Sequence, residues 1–168
     1  MNGGDSNVHT FLGWMESSAV GHFMRESGPW TYAFMNLGHI LGVAALFGSV
    51  LVLDLRLLGV GRRIPLAAVS AATMPVSAGG LALALVTGSA LLATKATAYA
   101  DNPLLLVKFP AIGLGLLNAL AMNLLPAWRG RATRELSNAE HRQLAAVGAF
   151  SLVCWLTAVG AGRMIGYW

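Results

Sequence analysis

The sequence predicts an all-α membrane protein, a bundle of four transmembrane helices preceded by a short N-terminal amphipathic surface helix. Composition is the first observation behind this. Of 168 residues 56% are hydrophobic and only 11% charged, whereas a soluble domain uses about 25% charged residues to build its surface. The second is where the charges fall: residues 27–53, 64–94, 109–128 and 143–162 contain no Asp, Glu, Lys or Arg. Each run has at least 20 residues, and about 20 helical residues cross the ~30 Å hydrocarbon layer. The runs are continuously apolar, without the period-two alternation of barrel strands, so helix is the conformation that satisfies their backbones in lipid.

In chain order, residues 1–28 are expected to form an extracytoplasmic segment and 29–168 the transmembrane domain, with spans near 31–55, 65–94, 104–127 and 138–165. Val8, Leu12, Met15, Ala19 and Phe23 recur at helical spacing with His9 and Glu16 to one side, which predicts one amphipathic helix on the outer surface. No basic stretch followed by a short apolar core opens the chain, so no cleavable leader is expected and the first span directs insertion. Pro29 and Trp30 precede that span, and Pro65 opens the second. Pro75 is expected to kink the second span or begin its regular part. Asn102-Pro103 precede the third, placing Pro110 in its first turn, and Ser137-Asn138-Ala139-Glu140 reads as a capping box for the fourth.

Orientation follows from the cations. Arg56, Arg62, Arg63, Arg129, Arg131, Arg134 and Arg142 fall on one side, against Arg25, Lys95, Lys108 and Arg163 on the other. The seven-to-four bias puts the arginine-rich gaps in the cytoplasm and both termini outside a bacterial inner membrane. The net charge of +4 is dispersed over these short gaps, not gathered on one soluble face, so no nucleic-acid partner is expected. Cys154 is the single cysteine and lies in an apolar run, which excludes disulfide frameworks and multi-cysteine metal sites.

Gly38 and Gly42 in the first span, Gly80, Ala84 and Gly88 in the second, and Gly115 and Ala119 in the third are spaced for close helix approach. Asn118 and Asn123, read as buried in the third span, require hydrogen-bond partners on neighbouring helices. At the inner end of the first span, Asp54 and Arg56 are expected to pair and to fix the Gly59-Val60-Gly61 turn.

His39 is the single histidine inside a span, and intramembrane ionisable side chains face the protein interior. As a neutral imidazole it would tie two helices together. As a ligand it would hold the iron of haem b, with Lys108 and Arg163 at the same outer end to pair with propionates. His22, on the surface helix, is the nearest second ligand, and two copies of His39 in a dimer are another. The same trio of His39, Lys108 and Arg163 would also suit a quinone or lipid headgroup, while the two cations alone would suit snorkelling to headgroups.

The order of several short motifs resembles the DUF6644 family of small bacterial membrane proteins of unknown function. They are Met24-Arg25-Glu26-Ser27 with Trp30, His39-Ile40-Leu41-Gly42, Asp54-Leu55-Arg56-Leu57-Leu58-Gly59, Asn102-Pro103, Lys108, Leu117-Asn118-Ala119 and Gly162-Arg163-Met164-Ile165-Gly166-Tyr167. The resemblance covers nearly the whole chain and implies no activity. It also implies a Phe-His pair shortly after the Asn-Ala, where this chain has Met122-Asn123, so a two-histidine cofactor site would lack one ligand here.

Two functional readings stand. The first is a non-catalytic accessory or structural subunit, embedded in the bilayer and packing against other membrane subunits or copies of itself, with no cofactor. The second is a haem b-binding or quinone-interacting electron-transfer subunit that uses His39.

Overall fold

The computed structural model describes residues 3–100 and 102–167. Their regular structure is helical throughout: α1 (Gly3–Glu16), α2 (Ala19–Glu26), α3 (Gly28–Leu57), α4 (Leu66–Thr94), α5 (Pro103–Met122), α6 (Pro126–Arg129) and α7 (Asn138–Met164). Short 3-10 turns occupy Thr97–Tyr99, Gly130–Ala132 and Ile165–Tyr167. Four helices, α3, α4, α5 and α7, are long and apolar enough to cross a membrane. The most apolar window of each is no more than 39% buried within the protein. In water that would leave apolar patches well beyond the few hundred Å² that soluble monomers tolerate, so the chain is a membrane protein.

The N-terminal helix is not continuous. Ser18 adopts an extended conformation and its hydroxyl accepts from the Gly21 amide at 3.2 Å, capping a new helix. A serine in that role outweighs the apolar periodicity that runs through it. Leu12, Gly21 and Met24 are the buried positions, while Val8 and Phe23 are about half exposed.

Two span ends also differ from the sequence reading. α5 stops at Met122, not near 127, because Leu125 is extended ahead of Pro126, which opens α6; the residue before a proline is driven out of the helical region. Pro110 lies well inside α5, not in its first turn, since the helix starts at Pro103 and includes Lys108. The capping box of α7 is formed: the Ser137 hydroxyl accepts from the Glu140 amide and the Glu140 carboxylate from the Ser137 amide.

By internal contacts the chain divides into two units. One comprises the stretch through Ala44 together with Gly79–Asn102, and the other Ala45–Ala78 with the stretch from Pro103 onward. In the first, α3 meets α4 across small residues. A Cβ on Gly42 would lie 2.7 Å from the Ala84 nitrogen and 3.0 Å from the Gly80 carbonyl oxygen, so the two backbones touch there.

In the second unit α5 packs along α7, with the Trp155 ring lying against Gly115. The buried core joins Leu53 and Leu57 of α3, Leu66 of α4, Met122 of α5, Trp128 of α6 and Leu144 of α7. The α3–α4 turn uses Gly59 and Gly61 at φ 105° and 65°, a region unfavourable to other residues.

Gly42→Ala is therefore expected to destabilise the protein by about 1–3 kcal/mol, since the added methyl meets backbone that cannot swing aside. Gly48→Ala, on the same helix with nothing within 4 Å, is the control and is expected to be neutral. Thermal unfolding of both variants in one detergent measures the difference.

Candidate functional site

His39 sits in a notch of α4. Its Nδ1 lies 3.0 Å from the Ala84 carbonyl oxygen and 3.3 Å from Thr87 Oγ1. The Thr87 hydroxyl donates to the Leu83 carbonyl at 2.6 Å, and a carbonyl can only accept, so Nδ1 carries the proton and donates to both oxygens. Gly88 makes the room: a Cβ there would come 2.9 Å from His39 Cε1. The arrangement clamps α3 to α4 by a side chain reaching across to main chain.

At the end of α4, α1 is latched to the turn that follows the helix and α2 to the last residues of the helix itself. The Glu16 carboxylate accepts from the Thr97 hydroxyl at 2.6 Å and the Thr97 amide at 2.8 Å. Arg25 donates to the Glu16 carbonyl at 2.8 Å and comes within 3.5 Å of the Ala93 carbonyl. The Thr97 hydroxyl first, then its amide and the Arg25 charge, holds the Glu16 carboxyl below the usual glutamate range. His22 is largely exposed, with Nδ1 3.8 Å from Glu26 Oε1. It lines an open groove of about 300 Å³ with Glu16, Arg25 and Thr97.

Of the four residues proposed for a haem or quinone site, His39 and His22 belong to the first unit, Lys108 and Arg163 to the second. The Lys108 chain runs along α7 beside Gly162. Arg163 stacks over Tyr167, 4.5 Å from the ring centroid, and donates to its hydroxyl. Among the described residues no group of three His, Cys, Asp or Glu side chains is placed to share a metal ion.

Asp54 and Arg56 do not pair. Two residues apart on a helix, they point to different faces. Arg56 donates instead to the Ile64 carbonyl at 2.8 Å and reaches the Arg62 carbonyl at 3.4 Å, so it fixes the turn through main-chain oxygens. Asp54 is 3% exposed and faces Ser151 of α7; its Oδ2 has no hydrogen-bond partner among the described residues.

Asn118 of α5 donates to the Val147 carbonyl of α7 at 3.1 Å, a helix-to-helix bond. Asn123 is exposed beyond the end of α5, not buried in a span. It donates to the Ala119 carbonyl and accepts from the indole of Trp128 at 3.2 Å.

A family model described as "Family of unknown function (DUF6644)" matches residues 11–168. The chain belongs to this family. No curated protein and no solved structure matches it. Several of the DUF6644-like motifs have concrete places in the structure. His39 and Asn118 tie helices together, Asp54 is buried facing Ser151 of α7, Arg56 fixes a turn, and Lys108 and Arg163 lie against α7 and its C-terminal turn.

Sequence reasoning missed two features of this DUF6644 chain. Trp128 is 2% exposed, held by Asn123 and covered by Arg131, whose guanidinium lies 3.9 Å from the ring centroid and donates to Ser70. The signal was Pro126 opening a short helix just past a span. The other is the role of Thr97 as the docking point for Glu16, which no local pattern announces, since the two are 81 residues apart.

The Glu16 latch has a defined pH response. Because its folded pKa is lowered, the stabilisation is fully present above the ordinary glutamate pKa of ~4.3 and is lost as pH falls through the lower folded value. The protection of the Thr97 amide against hydrogen exchange, taken relative to its intrinsic rate at each pH, is expected to fall on acidification below the ordinary glutamate range in the native protein. In Glu16→Gln that step should be absent.

Proposed function

We propose that this DUF6644 protein is a non-catalytic integral membrane protein, an accessory or structural subunit that packs against other membrane subunits or second copies of itself. In this reading it resides in a bacterial inner membrane with both termini outside and the arginine-rich turns in the cytoplasm, as the seven-to-four bias of basic residues indicates. The observation that carries it is a stripe on α5. Leu106, Phe109, Leu117 and Leu120 are each more than half exposed, and with Gly113 they repeat at steps of three and four residues, the spacing of a helix–helix seam. Gly113, in the middle, has nothing within 4 Å, whereas Gly115 two residues on is filled by Trp155. A small residue flanked by large apolar ones on an uncovered helix face is the pattern by which helices pack in lipid.

The polar side chains inside the spans support the same reading. His39 and Asn118 are engaged in bonds that hold the protein's own helices, and Ser151 faces the buried Asp54. A second reading, haem b or quinone binding at His39, draws on the tautomer: an imidazole whose Nδ1–H is bound to a carbonyl keeps its lone pair on Nε2, the usual arrangement of ligating histidines.

A photocrosslinking residue at position 117 is expected to capture a discrete membrane-protein partner or a second copy in intact membranes, while the same residue at the equally exposed position 153 captures lipid alone. Equal labelling from both positions, or lipid alone from 117, would sink the subunit reading. The optical spectrum of protein purified from haem-replete cells separates the alternative: a stoichiometric Soret band abolished by His39→Ala would replace the first reading with the second.

A further inference from the structure

The start of α3, the end of α4 and the turn after it enclose a second cavity, of about 280 Å³, lined by Tyr32, Leu91, Thr94, Lys95 and Tyr99. Tyr32 stands near the first residue of a membrane-crossing helix, and Thr94 is the last residue of another, with Lys95 immediately beyond it. The cavity is therefore at the depth where hydrocarbon gives way to headgroups, and Trp30, two residues before Tyr32, is 76% exposed, as interfacial tryptophans are.

Its chemistry is specific. Neither the Lys95 ammonium nor the two phenols form a hydrogen bond or ion pair among the described residues, so each has donors to offer. Thr94 already donates to the Ala90 carbonyl at 3.2 Å and offers its oxygen as an acceptor. The described lining holds one cation and no carboxylate. A cation in so small a space opposes the ammonium of choline or ethanolamine, while a lysine with two phenolic donors matches phosphate oxygens. Leu91 supplies an apolar wall. The volume falls just below that of drug-sized ligand cavities, which run from ~300 to 1,000 Å³, and so suits a headgroup better than a macrocycle.

We infer that this cavity is a binding site for the phosphodiester of an anionic phospholipid, held by Lys95, Tyr32 and Tyr99. It is distinct from the α5 stripe and does not depend on the subunit reading. Snorkelling alone would attract anionic lipids through any interfacial lysine, whereas the cavity makes Lys95 and its two phenols the particular determinants.

The test is native mass spectrometry of the delipidated, detergent-purified protein, offered equal amounts of phosphatidylglycerol and phosphatidylcholine with the same acyl chains. The expected result is a predominant phosphatidylglycerol adduct that weakens about tenfold in Lys95→Gln, the loss of one charge-assisted contact. The adduct should persist in Lys95→Arg and in Lys108→Gln, and weaken again in the Tyr32→Phe, Tyr99→Phe double variant, which keeps both rings. Equal adducts of the two lipids, or a phosphatidylglycerol preference that survives both Lys95→Gln and the double variant, would overturn the site. Inorganic phosphate is the last arm: if it displaces the lipid at equal concentration, the ligand is the free anion and the lipid assignment falls.

Discussion

Helices in a bilayer gain little by hiding apolar side chains from one another, because lipid tails are as apolar as leucine. What holds them is contact close enough for dispersion forces to accumulate, together with a few hydrogen bonds that have no water to compete with them. In the first unit contact is made where Gly42 meets the backbone of α4 at Gly80 and Ala84. Near this seam His39 donates to Ala84. In the second unit Gly115 receives Trp155 and Gly148 lies on Leu57, with Asn118 providing the bond. Glycine admits the neighbour, and a polar group nearby fixes the register.

The same constraint explains which parts of the protein were legible in the sequence. The spans were readable because a lipid-crossing helix needs an uninterrupted apolar run, and the capping box of α7 because Ser137 and Glu140 are local partners. Charge was a poor ruler at helix ends. Lys108 lies inside α5 because a long lysine chain can follow Gly162, and the apolar stretch after Met122 is no longer part of the span because Pro126 begins another helix. The break at Ser17-Ser18 was written in the sequence as a capping serine but concealed by the periodicity around it.

The candidate site was less legible. A histidine within a span announces that it has a partner, but not that the partner is a main-chain oxygen 45 residues away. Asp54 and Arg56 looked like a pair because they are neighbours in sequence, whereas helical geometry turns them apart, and Ser151 comes from another helix. Lys95 entered the sequence reading as one charge in a topological tally. Tyr99 follows it by four residues in the turn after α4, but Tyr32 reaches it only through the fold of α3 against α4, so no linear pattern links that phenol to the lysine.

The notch that receives His39 has a consequence for how this chain can vary. The imidazole occupies the space where a side chain at position 88 would begin, so any residue but glycine there displaces the ring from its place against α4. A smaller residue at 39 would release position 88 to carry any small side chain. Read across diverging sequences, the two positions are expected to drift as a pair, and an alanine at 88 beside an intact histidine would mark a chain in which the two helices have moved apart.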